Sequence, residues 1–329
     1  MIISKTPFRL SFIGGGTDQI PCINLLGKGH VINSTFNKYG YIFYREIEDL
    51  YDYNFKIRYY LNESVKLAKD IKHPVIRHAV NQYNLDNKKF HITYDGELPS
   101  RSGIGSSSSF VVGLLNIIYF IKKEKISKIS LAKKAINFEH RILKENSGLQ
   151  DQIAASYGGL NYISFNKNSF KVQKIKLSNE KKEIIKNSIF LCLVNGSRKS
   201  SNLEKEKNKD LLLNKNIYSD IYDLTTEALN ALNSKKTTWF SDFNKCINSY
   251  WSLKKRLNKK VSNEEVNYLC DSFMREGALS VKLMGAGDNG FISIISTQTV
   301  RNRIINKFKK CKFITIQTED EGSKIINIK

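Results

Sequence analysis

The stretch Pro99–Ser109, PSRSGIGSSSS, restricts this chain more than any other, because it runs straight into an apolar segment ending at Ile121. Gly103 and Gly105 let the backbone come close to a bulky anion. The apolar segment predicts a helix, whose N-terminus would offer unpaired N–H groups and the positive end of its dipole. Serine hydroxyls there can donate further hydrogen bonds or ligate Mg²⁺. The loop lacks the lysine of a Walker A sequence, so it predicts a phosphate cradle of another kind. The alternative is a serine-rich cap on a buried helix.

A chain of 329 residues corresponds to roughly two domains at ~150 residues each. Its hydrophobic share, 41%, is that of a globular protein. The formal charge of +22 raises nucleic acid as a partner. The excess is mostly lysine dispersed along the chain, without a clustered basic tract, so we expect no nucleic-acid partner but an anionic ligand. Five cysteines without C-x-x-C spacing fit reduced thiols better than a disulfide framework or zinc ribbon. The five histidines form no metal-binding pattern. The N-terminus lacks the apolar run of a signal peptide, and Phe110–Ile121 is too short to span a bilayer. We expect a cytoplasmic protein with no membrane partner; the sequence leaves its oligomeric state open.

Strand patterns occupy FRLSFIG, HVINSTF, YGYIFYRE, FKIRYY and KFHITYDG. Helices are predicted over Val75–Tyr83, 130–144 and 148–158. Two further strands, LNYISF and FKVQKI, precede a soft boundary near 166–180. Beyond it, strand IFLCLVN leads to charged helices over roughly 201–276 and then a strand–turn–strand–helix–strand ending. The expectation is an α+β fold with domains over 1–175 and 176–329.

Four other places carry candidate chemistry. Glu139 sits at the edge of an apolar helix face, where a carboxylate should be paired or metal-bound. Asp151, in GLQDQIAASYGG, shares a helix face with small residues; it could also be a carboxylate serving only the helix dipole. Arg9, Thr17 and Asp18 flank Gly14–Gly16, either as a ligand-binding turn or as a hairpin with a solvated Asp. KLMGAGDNG, 282–290, and the basic turn Ser197–Ser200 are candidate phosphate contacts, or ordinary turns.

Taken together, these segments resemble the GHMP kinase superfamily, which includes galactokinase, homoserine kinase and mevalonate kinase. TPFRLSFIGGGTD resembles its first motif, LPSRSGIGSSSSF its P-x-x-x-G-[LI]-x-S-S second motif, and KLMGAGDNGF its third, in the family's order. PFRLSFIGGGTD and GLQDQIAASYGGLNYISF look most like the D-glycero-D-manno-heptose 7-phosphate kinases. The resemblance implies an N-terminal domain like domain two of ribosomal protein S5 and a ferredoxin-like C-terminal domain, with the site between them.

It also implies an ATP-dependent sugar kinase acting on the anomeric hydroxyl of a sugar phosphate, for surface glycan biosynthesis. The alternative within the superfamily is another sugar-1-kinase, such as a fucokinase or a galactokinase-like enzyme. By position, Asp151 and Arg9 would be catalytic. Pro99, Arg101, Ser102, Gly103, Ile104, Gly105, Ser106, Ser107 and Ser108 would bind ATP, with Ser107 and Glu139 holding Mg²⁺. Gly15, Gly16, Thr17, Asp18, Gly285, Ala286 and Gly287 would line the sugar and phosphates, and Arg198 and Lys199 would meet the sugar's own phosphate. The third motif departs from the usual G-A-G-G-G-G-F at Asp288 and Asn289. Asn289 tolerates a left-handed backbone, whereas Asp288 is expected to bring negative charge near the phosphates.

Overall fold

The structure is a computed structural model and describes residues 1–194 and 210–328. Its first sheet is built on one long strand. β1 (Ile2–Ile13) pairs antiparallel along β2 (Lys28–Glu46), which merges two of the expected strands into one. The length of β2 lets it serve two further partners. Its first half pairs with β6 (Asn161–Asn166), and its second half with β5 (Phe90–Gly96). β3 (Phe55–Arg58) runs parallel to β5 and carries β4 (Asn62–Val65) outside it, while β7 (Phe170–Lys174) extends β6.

The second sheet is antiparallel, in the order β11 (Lys312–Thr315), β8 (Ile189–Val194), β10 (Gly290–Ile295), β9 (Ser280–Leu283). Numbered along the chain its strands lie 4-1-3-2, with helices in the first and last connections, which is the expected ferredoxin-like arrangement. The chain then returns: β12 (Thr318–Glu319) joins β2, and β13 (Lys324–Asn327) joins β1 in the first sheet.

The helices are α1 (Ile20–Leu26), α2 (Pro74–Gln82), α3 (Ser106–Ile121), α4 (Lys128–Asn137), α5 (Gln150–Tyr157) and α6 (Asn179–Ser188). They continue with α7 (Lys215–Asn233), α8 (Trp239–Leu257), α9 (Glu264–Arg275) and α10 (Gln298–Lys307). α3 is almost wholly buried because its residues are apolar around the full circumference. The helix expected over 130–144 ends as α4 at Asn137 and widens into one π-helical turn, Phe138–Ile142. The glycine turn runs on through Asp18 as expected and leads into α1, with Pro21 in its first turn.

One buried apolar cluster joins the two sheets. Phe8, Phe12 and Ile32 pack with Leu191, Phe243, Met284 and Phe291, and Phe12 meets Phe243 edge-to-face at 5.5 Å. A second cluster lies between α2, α3 and the strands β2, β3 and β5. Among the described residues, no helix is long and apolar enough to cross a membrane.

Candidate active site

A cavity of about 620 Å³ opens where α3, α5 and α8 converge on β1 and β9. One wall is the Pro99–Ser108 loop. Gly105 caps α3 with φ +73°, and a Cβ there would lie 2.9 Å from Arg9 Cγ and 3.1 Å from Asp151 Oδ2. Only glycine fits that corner. The first turn of α3 therefore presents its N–H groups to the cavity with no side chain between them and Asp151.

Arg9, on β1, forms a two-pronged ion pair with Asp151 on α5: Nε donates to Oδ1 at 2.6 Å and Nη2 to Oδ2 at 2.8 Å. Its Nη1 donates to the Gly103 carbonyl, and its backbone N–H to the Ile104 carbonyl at 3.0 Å. One guanidinium thus locks the glycine loop and the carboxylate together. The Asp151 side chain is 17% exposed, enough to meet a ligand.

Glu139 lies in the π-helical turn and is buried. Its Oε2 accepts three bonds, from Ser108 Oγ (3.1 Å), Ser147 Oγ (3.0 Å) and Gln152 Nε2 (2.5 Å). Its Oε1 is buried without a partner. Burial, reinforced by nearby Glu145, pushes the carboxyl up to about 8. Ser107 is exposed, while its neighbour Ser108 holds Glu139. An idle carboxylate oxygen and a free-facing hydroxyl form a hard-oxygen donor set, which fits Mg²⁺.

Asp18 is buried rather than solvated. It accepts the N–H groups of Gly16 (2.9 Å) and Gln150 (3.1 Å), which knits the Gly14–Gly16 turn to α5. Burial raises its carboxyl above the ordinary range. Tyr250 donates to the Gly15 carbonyl at 2.9 Å, and Tyr218 packs against Gly16.

The third motif meets the second directly. A Cβ on Gly103 would lie 2.7 Å from the Met284 carbonyl, and one on Gly285 would lie 2.6 Å from Gly103 Cα. Phe291 N–H donates to the Ser102 carbonyl at 3.0 Å. Glycine at 103 and 285 is thus a matter of two backbones touching.

Most of the residues expected at the site lie on this cavity: Arg9, Gly15, Gly16, Asp18, Pro99, Arg101, Gly103, Gly105, Ser106–Ser108, Glu139, Asp151, Gly285 and Ala286. Thr17, Ser102, Ile104 and Gly287 stand behind its wall. Thr17 Oγ1 donates to the Gly14 and His30 carbonyls, Ser102 Oγ donates to the Pro99 carbonyl, Ile104 is in the core, and Gly287 packs on Val261. Arg198 and Lys199 lie outside the described residues.

Asp288 is also absent from the cavity wall. It is the left-handed residue of its turn, at φ +72°, and its carboxylate accepts a bond from Asn289 Nδ2 at 2.9 Å. The expectation of a left-handed Asn289 therefore shifts by one residue.

Several wall residues gave no sequence signal. Tyr59, Tyr60, His73, Tyr94 and Phe110 form a chain of ring contacts between 4.7 and 5.1 Å. Tyr218, Tyr250, Lys254 and Lys282 come from the second half of the chain. Isolated aromatics and lysines resemble ordinary core or surface positions until the fold collects them.

The family model described as GHMP kinases N terminal domain matches residues 66–159. The chain is 27% identical to the D-glycero-alpha-D-manno-heptose 7-phosphate kinase of Campylobacter jejuni, over 94% of this chain and 93% of that one. The chain is thus similar to GHMP kinases, in its first half by the family model and over nearly its whole length by this relative. A solved structure of a putative sugar kinase from Campylobacter jejuni superposes with a TM-score of 0.79 at 25% identity, covering 99% of this chain and 98% of the other. The galactokinase of Pyrococcus furiosus is 25% identical over 72% of this chain and 75% of its own. These likenesses support a sugar-kinase phosphotransferase.

Proposed function

We propose that this protein is a GHMP kinase that phosphorylates the anomeric hydroxyl of D-glycero-D-manno-heptose 7-phosphate, forming the 1,7-bisphosphate in the cytoplasm. The observation that carries this reading is the Arg9–Asp151 pair, locked to the glycine loop at the N-terminus of α3. Likeness to the Campylobacter heptose 7-phosphate kinase over nearly the whole chain supports the choice of sugar.

Asp151 orients the sugar hydroxyl and takes its proton as the oxygen attacks the γ-phosphorus. The bond between that phosphorus and the leaving oxygen of ADP breaks in the same displacement. Arg9 aligns Asp151 and stabilises charge on the group in transfer. The N–H groups of Ser106–Ser108 receive the phosphates. Asp18, with Gln150 behind it, offers acceptor oxygens to sugar hydroxyls. The ring cluster around Phe110 offers a flat apolar wall to the nucleotide base.

Ser107 and Glu139 Oε1 would hold Mg²⁺. When bound, the ion neutralises charge on the β- and γ-phosphates. Arg101, on the cavity wall, is a candidate partner for the sugar's own phosphate, alongside Arg198 and Lys199.

A coupled ADP-release assay with ATP and Mg²⁺ tests the reading, comparing the heptose 7-phosphate with fucose, galactose and mannose. We expect preference for the heptose phosphate. Turnover confined to a neutral sugar would retain the kinase and discard the heptose phosphate.

A further inference from the structure

Lys282 is the third residue of β9 and is 3% exposed, yet it lines the cavity. Its ammonium donates to the Ser11 carbonyl at 2.7 Å and lies 5.7 Å from the centre of the Tyr250 ring. Among the described residues, no carboxylate pairs with it. Arg9, the charged group that acts on it, carries the same sign, and Cys270 behind it is a protonated thiol. Arg9 has Asp151 as counter-ion; Lys282 has none of its own.

A buried ammonium without a counter-ion is costly to the fold, and such groups tend to neutralise or await an anion. Burial, with Arg9 adding to it, brings this amine down to about 7. A link between sheets through Ser11 needs no charge, since a neutral donor would serve. Three and four residues further on, Gly285 and Ala286 stand on the same cavity wall, Gly285 against Gly103 of the glycine loop.

We infer that Lys282 binds a phosphate-type anion inside the cavity, as a second cation beside Arg9. The inference rests on the kinase reading for the origin of that anion. It is either the terminal phosphoryl group of the nucleotide or the phosphate carried by the sugar.

The test is calorimetric binding to wild type and Lys282→Met, using two ligand pairs. One pair is a non-hydrolysable ATP analogue against ADP; the other is the heptose 7-phosphate against the heptose. Within one pair, the substitution weakens the ligand bearing the extra phosphate at least about tenfold and leaves its partner within about twofold. The affected pair identifies the source of the anion. Lys282→Gln, which keeps a donor and removes the charge, carries the same test if the methionine variant does not fold. In the wild-type protein, the ¹⁵Nζ signal of Lys282 should move with the phosphate-bearing ligand and not with its partner.

Unchanged ratios in both pairs, or an unmoved ¹⁵Nζ signal, would overturn the inference and leave Lys282 as a strut between sheets. These measurements need no turnover. A kinase that phosphorylates none of the sugars would end the substrate reading while the nucleotide pair still decides the role of Lys282.

Discussion

Asp151 and Glu139 face one cavity from the same stretch of chain, and the protein treats them in opposite ways. Asp151 is matched by a full positive charge: both its oxygens accept from Arg9, and it keeps some exposure to the cavity. Glu139 is buried among neutral donors that all crowd one oxygen, which leaves the other idle and its carboxyl pushed up to about 8. In the proposed function the difference separates two tasks: the carboxylate with a resident counter-ion would take the substrate proton, and the buried one without it would hold a cation arriving with the nucleotide.

The contrast breaks most visibly in turnover. Asp151→Asn should lower kcat by about 10²–10⁴-fold while nucleotide affinity stays near wild type. Steady-state kinetics beside nucleotide calorimetry measure this, and wild-type-like turnover would remove Asp151 from the chemistry. Glu139→Gln should weaken Mg²⁺ about 10–100-fold, read as the Mg²⁺ dependence of nucleotide binding. An unchanged titration would dissociate Glu139 from the metal.

Stability should then move in opposite senses for the two sites. Asp151→Asn leaves the Arg9 guanidinium without its carboxylate and should cost about 3 kcal/mol in urea unfolding. Glu139→Gln removes a carboxyl that burial already disfavours, so it should be neutral or stabilising. Equal losses in the two variants would erase the distinction.

The pH dependence follows from the raised Glu139 carboxyl. Below about 8 it holds a proton in the folded protein, and that proton must leave before a cation can bind. Mg²⁺ affinity should therefore fall as pH drops below about 8, approaching tenfold per pH unit, with proton release visible by calorimetry in two buffers. Glu139→Gln should flatten that slope. The smallest effect expected is that of Gln152→Ala. It takes one of three donors from Glu139 and should shift Mg²⁺ affinity by a few-fold, with little change in kcat at saturating Mg²⁺.

Much of the site was legible before folding because its parts are local. The glycine loop and the helix it caps are continuous in sequence, and their geometry follows from glycine φ angles and an apolar run. The Glu139-to-Asp151 interval could be read as one stretch, although the π-helical turn that buries Glu139 could not. There Ser108 of α3, Ser147 of the following loop and Gln152 of α5 converge on the Glu139 carboxyl. The turn at Asp288 was not legible either, since Asp288 rather than Asn289 takes the left-handed backbone and its carboxylate accepts from Asn289.

Short-range periodicity and glycine chemistry encode the glycine–serine loop running into an apolar helix, the α+β alternation and the late strand–helix–strand ending, whereas the ferredoxin-like arrangement was implied only by the family resemblance. Which distant groups share the cavity follows from the closed fold alone. It brought Arg9 to Asp151 across 142 residues of chain and Lys282 to Ser11 across 271, and it carried β12 and β13 back to the first sheet. Such contacts leave no periodic mark, since their energy comes from desolvation and charge balance that exist only once both sheets have closed on a common core.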